Sequence, residues 1–472
     1  MVPLCYRSAT VNGLKNPACI LHAPYCDVQD ANEMRTVENA KRNERHTGRI
    51  RINIALIEDF YVKNNTLTED FYIFSCSYQK KVVPLRCNFK QINDMAPIKR
   101  TLQALITERM QPQKVMLLFG ARRVGKTILM RQIVDSFKGK TLVLNGEDID
   151  THTLLGKASV SNYRHLFEGV ELLAIDEAQH IPQIGSKLKL IVDELPGIRV
   201  IATGSSSFNL QSEAGEPLVG RSSQFLLTPF SQQELSAGET PIETYRKLEE
   251  RLIYGSYPDV TLFDTYAQKR EYLQDIVDAY LLKDILAVDG IKNSQKMYDL
   301  LRLIAYQTGS EVSYEELGKQ LSMSRNTVER YLDLLQKVFV IYRLGGFSRN
   351  LRKEVAKASK WYFYDNGIRN AIIRNFQPLD VRSETDRGAL WENYIISERR
   401  KLSLNQRLDT QFYFWRTYDN QEIDLIEEKD GVLTAYEMKA GKKQARVPIG
   451  FKNAYPDTEF YCVNRDNYLD FI

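Results

Sequence analysis

Residues 114–128 read KVMLLFGARRVGKTI. Five apolar residues, Val115 to Phe119, run without alternation into a glycine. That pattern predicts a short strand buried on both faces. The next eight residues, Gly120–Thr127, spell a complete G-x-x-x-x-G-K-T. Its glycines let the backbone close around an anion, and the helix that follows presents N–H groups to negative charge. Gly120, Ala121, Arg122, Arg123, Val124, Gly125, Lys126, Thr127 and Ile128 are therefore the expected nucleotide-binding set. Lys126 is expected on the β- and γ-phosphates of ATP, and Thr127 on Mg2+.

Working outward, TLVLN (141–145), ELLAIDE (171–177) and RVIATGS (199–205) repeat the buried-strand pattern. Each is separated from the next by enough chain for a crossover helix, which predicts a doubly wound α/β domain around a parallel sheet. In ELLAIDE, Asp176 closes the strand and is expected to contact Mg2+. Glu177 follows as the expected base or orienter of the attacking water. Ser205, at the end of the next strand, is a candidate γ-phosphate sensor, though small residues also serve simply to turn a chain. Arg221, in LVGRSSQFLLTPFS, is either an arginine finger or an ordinary surface arginine.

With 472 residues, the chain has room for two to four domains. Its 64 basic and 60 acidic side chains leave a net charge of +4, so any basic surface for a polyanion would have to be local. No apolar run reaches the roughly 18 residues of a membrane span, and Arg7 interrupts any leader pattern. A cytoplasmic location with no membrane partner is the default expectation. Five of the six cysteines (Cys5, Cys19, Cys26, Cys76 and Cys87) precede residue 95, and only Cys462 follows it. Their irregular spacing supports neither a disulfide framework nor a zinc site. Residues 1–94 are read as an atypical extension, or as translated upstream sequence that is disordered, with Met95 opening the ATPase-like part.

Further along, 95–240 is the expected ATPase core, 241–299 a helical lid and 300–350 a winged helix-turn-helix. In SYEELGKQLSMSRNTVERYLDLLQKVFVIYRL, Leu317 and Leu321 are predicted to face the core from one helix, and Val328, Leu332 and Leu335 from the next. Ser324 is expected to cap the second helix. That leaves Arg325, Asn326 and Arg330 on an exposed face suited to a DNA groove. The same unit would also serve as a packing module, because Glu329 and Asp333 dilute its charge.

Residues 351–472 are expected to form a final α/β domain. Asp430-Gly431 reads as a two-residue hairpin turn. Counting outward from it sets Asp424 opposite Glu437 and Glu422 opposite Lys439. Period-two alternation then puts these four on one face and Ile423, Leu425, Tyr436 and Met438 on the other. Facing carboxylates repel unless a cation or a proton lies between them. A second Mg2+ or Mn2+ held between Asp424 and Glu437, with Lys439 beside it to stabilise charge or activate water, is one expectation. A solvated sheet face is the other.

The motifs GARRVGKT, AIDEAQ, ATGSSSFNL, GRSSQFLLTPFS, YGSYPDV, WENYIISE, FWRTYDNQEIDLI and YEMKAG, in this order over residues 96–472, resemble those of prokaryotic AAA-type ATPases with a C-terminal domain of unknown function 4143. Ser256 departs from the double-glycine form of the YGSYP turn. The resemblance implies ATP use and allows a homo-oligomer, since many AAA-type proteins work as rings; whether Arg221 would serve its own nucleotide or a neighbour's stays open. The acid followed by Glu-x-Lys is similar to the PD-(D/E)XK nuclease fold. That likeness implies Glu392 as a third acid and Arg416 as a phosphate contact. The functions implied are ATP hydrolysis coupled to DNA binding or cleavage, or a nucleotide switch whose nuclease-like domain is only a binding platform.

Overall fold

The computed structural model describes residues 98–205, 218–281, 294–349, 359–418, 421–441 and 444–472, together with three earlier strands. Those strands, β1 (Ile52–Ala55), β2 (Phe71–Cys76) and β3 (Val82–Arg86), form an antiparallel sheet in the order β1-β2-β3 within the unit Met1–Pro97. The rest of the expected extension, with Cys5, Cys19, Cys26 and Cys87, lies outside the described residues. Residues Ile98–Ile472 form a second compact unit.

That second unit begins with α1 (Thr101–Arg109) and β4 (Val115–Phe119), followed by α2 (Lys126–Ser136) and β5 (Thr141–Asn145). Then come α3 (Ile149–Gly156), α4 (Val160–Leu166), β6 (Leu172–Asp176), α5 (Ile184–Glu194), β7 (Arg199–Gly204) and β8 (Ser222–Leu226). The five strands pair in the order β5-β6-β7-β4-β8, all parallel. As the apolar runs imply, all five residues of β4 are buried, and so are Leu172–Ile175 of β6. Parallel pairing brings the C-terminal ends of β4, β6 and β7 to one edge of the sheet, which gathers Gly120, Asp176 and Ser205.

A second group of elements follows: α6 (Gln232–Ser236), α7 (Pro241–Tyr254), α8 (Tyr266–Asp275) and α9 (Ser294–Tyr306). The pair α10 (Tyr314–Leu321) and α11 (Arg325–Lys337) is bracketed by β9 (Glu311–Val312), β10 (Ile341–Gly346) and β11 (Ser359–Phe363). As expected, Leu317, Val328, Leu332 and Leu335 are buried, with Leu321 partly so. Ser324 caps α11 by accepting a hydrogen bond from Thr327 N at 3.2 Å.

The remaining elements are α12 (Asn366–Ile372), α13 (Glu384–Gln406), β12 (Thr410–Arg416), β13 (Glu422–Lys429), β14 (Val432–Met438), α14 (Ile449–Ala454) and β15 (Glu459–Val463). Here the strands pair in the order β15-β14-β13-β12-β10-β11-β9. One seven-stranded sheet therefore crosses the boundary expected at residue 350, because β10 pairs with β12 on one side and β11 on the other.

Asp430 and Gly431 have φ of 52° and 78°, as the predicted turn requires, and Lys429 pairs with Val432. The β13–β14 ladder then runs outward only to Leu425–Tyr436. Beyond it the β12–β13 register slips between Tyr413/Ile426 and Trp415/Ile423, which is a bulge at Asp424-Leu425. This slip corrects the expected alternation. Ile423 packs with Ile426 and Trp415 in one cluster, whereas Leu425, Tyr436 and Met438 pack in the other with Trp391 and Tyr394 of α13.

Candidate functional site

The glycine-rich loop forms where β4 leaves the sheet. A Cβ on Gly120 would lie 2.3 Å from the Leu227 carbonyl oxygen, so only glycine fits there. Gly125 precedes α2 in the left-handed region, at φ 94°. Lys126 is buried, and its Nζ donates to the carbonyls of Gly120 and Ala121 at 3.0 and 2.9 Å. Ala121 and Val124 are buried, Arg122 half-buried and Arg123 exposed with φ 65°; Ile128 lies exposed on the first turn of α2.

Thr127 Oγ1 donates to Asp176 Oδ2 at 2.8 Å, so the two expected Mg2+ ligands meet. Thr203, on the intervening strand β7, donates to the other carboxylate oxygen and accepts from Glu177 N at 3.0 Å. Glu177 sits in the left-handed region at φ 46°. Gln179 Nε2 donates to Glu177 Oε2 at 2.6 Å and to Ser205 Oγ at 3.2 Å, which ties the expected base to the expected sensor. A hydroxyl, a carboxylate and a glycine loop that meet in this way fit a magnesium nucleotide. Sequence reasoning missed Thr203 and Gln179, because a strand threonine and a turn glutamine carry no motif of their own.

Arg221 is not brought to this group within one chain. It immediately precedes β8, at the opposite edge of the sheet, and its Nε donates to Asp193 Oδ1 at 2.5 Å. A five-residue strand separates the two edges by roughly 15 Å.

Arg100 was also missed. It is buried, donates to the loop carbonyl of Val124 at 2.6 Å and to that of Thr228 at 2.7 Å, and pairs with Glu234 at 2.8 Å. Its guanidinium lies 4.2 Å from the centre of the Phe230 ring. Glu234 completes a capping box with Ser231 at the start of α6. The N–H of Gln232 donates to Glu398 of α13 at 2.6 Å, and Lys401 binds both Glu398 and the Phe230 carbonyl. Ser231 N donates to Glu234 Oε2 at 3.0 Å, so hydrogen bonds on the adjacent residues Ser231 and Gln232 link the phosphate loop to α13 through the start of α6.

In the C-terminal part, Glu392, Asp424, Glu437 and Lys439 do come together. Met438 N donates to Asp424 Oδ2 at 2.7 Å, and Lys439 Nζ to Glu437 Oε1 at 2.5 Å. Burial and then the neighbouring Glu392 push the Asp424 carboxyl up to about 7. Burial and Asp424 likewise raise Glu437. Arg416 lies 3.8 Å from Glu311.

One further group, absent from the expectation, stands in this cluster. Lys360 of β11 is 2% exposed, with Nζ 2.5 Å from Glu422 and 3.5 Å from Glu392. Burial alone would lower its ammonium pKa, but Glu392, Asp424 and Glu422 outweigh that and hold it high. Among the described residues, no three His, Cys, Asp or Glu side chains converge as metal ligands. The second Mg2+ or Mn2+ expected on Asp424, Glu437 and Glu392 is therefore without support among the described residues.

Family comparison matches an AAA domain to residues 112–236 and the domain of unknown function 4143 to residues 387–469. The chain pairs an AAA domain with a C-terminal domain 4143. A further domain of unknown function, 8612, matches residues 245–379 of this AAA-type chain, across the start of the seven-stranded sheet. An uncharacterized protein of Methanocaldococcus jannaschii is 23% identical over 400 residues, 79% of this chain and 85% of its own. One from Mycobacterium tuberculosis is 24% identical over 353 residues, 74% and 75% of the respective chains. Among solved structures, a RuvB variant of Thermotoga maritima overlaps 52% of this chain and 88% of its own at 16% identity, with a TM-score of 0.27. A Bacteroides Pif1 helicase overlaps 42% and 52% at 14% identity, with a TM-score of 0.22. Among the described residues, no helix is long and apolar enough to cross a membrane.

Proposed function

We propose that this protein binds and hydrolyses ATP, and that the cycle switches the state of its C-terminal domain, which acts as a binding platform. The observation that carries this reading is the meeting of Thr127, Asp176, Thr203, Glu177, Gln179 and Ser205 beside the glycine loop. Lys126 is the group to bind the β- and γ-phosphates. Thr127 and Asp176 would hold Mg2+, which supplies charge neutralisation at the phosphates when bound. Glu177, oriented by Gln179, accepts the proton of the attacking water. Arg221, an edge of the sheet away, acts on a neighbouring protomer's nucleotide if it acts as a finger at all.

Support for coupling is the buried route from Arg100 to Glu234, then through the Ser231-Gln232 backbone to Glu398, by which a shift of the loop carbonyl at Val124 would be felt by α13. The DNA-directed version is supported by the exposed Arg325, Asn326 and Arg330 at the start of α11. Against it, Arg325 lies 3.2 Å from Glu315, which spends part of its charge. Metal-dependent cleavage by the C-terminal domain is not part of this reading. The test is ATP binding and phosphate release by the full chain beside Lys126→Ala and Glu177→Gln. The reading requires loss of binding in the first and retained binding with lost turnover in the second. ATP binding unchanged by Lys126→Ala would refute the site.

A further inference from the structure

We propose that the ammonium group of Lys360 is the resident cation of the C-terminal acidic centre, which therefore takes no divalent metal. The inference stands apart from the ATPase reading, because it concerns different residues on a different sheet.

The location of Lys360 carries the first part of the argument. All five residues of β11 are buried, and the Lys360 side chain lies above the Phe414 ring, 5.4 Å from its centre. An ammonium group in such a place is tolerated only when it is paired. Here Glu422 and Glu392 supply the pairing, with Asp424 close enough to add to the field. The four carboxylates and Lys360 thus explain one another: the acids could not gather without a cation, and the cation could not be buried without the acids.

Every acid in the centre also has a donor from the protein. Tyr362 Oη donates to Glu392 Oε1 at 2.6 Å, Lys360 serves Glu422, Met438 N serves Asp424, and Lys439 serves Glu437. One carboxylate oxygen among these, Glu437 Oε2, is buried without a partner. Burial and the neighbouring Asp424 raise the pKa of that carboxyl, while the Lys439 ammonium opposes the shift.

Room for a metal is also restricted. Mg2+ and Mn2+ prefer octahedral sets of oxygens and retain several waters. Glu392 is backed by Gly309, where a Cβ would come 3.0 Å from Glu392 Oε1. Tyr362 closes on the same oxygen, and Lys360 adds a positive charge 3.5 Å away. A divalent ion would have to displace the ammonium or sit against it.

The test is Mn2+ titration of the full, nucleotide-free chain, read by loss of the free-ion electron paramagnetic resonance signal. Asp176→Asn is placed in every sample to silence the phosphate-loop metal site. With Lys360 present, the free Mn2+ signal is expected to be unaffected by protein. Lys360→Met, which keeps the stem and removes the charge, is expected to bind one Mn2+ per chain. Adding Asp424→Asn to Lys360→Met abolishes that binding again. The proposal is overturned if the chain with Lys360 binds one Mn2+ and Asp424→Asn removes it. It is equally overturned if a folded Lys360→Met chain binds none. Should Lys360→Met fail to fold, the comparison of the Lys360 chain with its Asp424→Asn variant still decides.

Discussion

Lys126 and Lys360 are both nearly inaccessible to solvent, at 5% and 2%, yet their surroundings give them different work. Lys126 donates to the backbone carbonyls of Gly120 and Ala121, which a phosphate can replace. Lys360 meets carboxylates, which hold it permanently. Lys126→Ala is therefore expected to lose measurable ATP binding by calorimetry without a large change in stability. Lys360→Ala should cost about 3–5 kcal/mol in urea unfolding, because it leaves buried charges without their counterpart. Asp424 gives a pH signature of definite sign. Its carboxyl ionises near 3.8 when unfolded and near 7 when folded. Between these values the native state holds the extra proton, so stability falls as pH rises through that window. Asp424→Asn should flatten the fall, which urea midpoints measured across the same range will reveal. Lys126 was legible because its motif is a spacing. Lys360 was not, because in SRNLRKEVAKASK it looks like one more member of a basic run, and only the pairing of β11 carries it into the acids.

Elements tell a similar story of local rules and their limits. The hairpin turn was legible because Asp-Gly takes the two positive φ angles it needs. Its register was also legible, as far as Leu425–Tyr436. The bulge was not, because a single extra residue leaves no mark on an alternating pattern. It is the bulge that breaks the expected alternation around Asp424 and Leu425. In the same way, α10 and α11 followed from apolar spacing and the Ser324 cap. The merging of β10 and β11 with the C-terminal strands required long-range pairing that no short window contains. For α11 the proposal is specific. If its exposed face reads DNA, Arg325→Ala with Arg330→Ala should reduce the salt dependence of binding by about two ion equivalents, since each phosphate contact contributes a slope near 0.9. Fluorescence anisotropy with a duplex at several salt concentrations measures this, and an unchanged slope would leave α11 as a packing helix.

At the scale of the whole molecule, two arrangements matter that no single motif specifies. One is the separation of Arg221 from the glycine loop by the length of a strand. An arginine there serves a neighbour or none, so mixing Arg221→Ala with Glu177→Gln chains is expected to restore part of the turnover that each lacks alone. The other is the buried route from Val124 through Arg100 and Glu234 to the Ser231-Gln232 backbone and on to Glu398. Glu392 lies six residues before Glu398 on α13, about 9 Å along the helix axis. Glu398→Gln keeps an acceptor for Gln232 N but removes the charge that holds Lys401. Hydrogen exchange along α13 is expected to respond to ATP in the native chain and much less in this variant. The path escaped sequence reading because its members are scattered over three hundred residues, each unremarkable where it stands. The central claim, that the Gly120–Thr127 loop and its partners hydrolyse ATP, is tested most directly by phosphate release from Mg-ATP in the native chain and in Glu177→Gln. The account predicts turnover in the native chain and a loss of about 10²- to 10⁴-fold in the variant, with ATP affinity retained. Equal turnover in the two would contradict it.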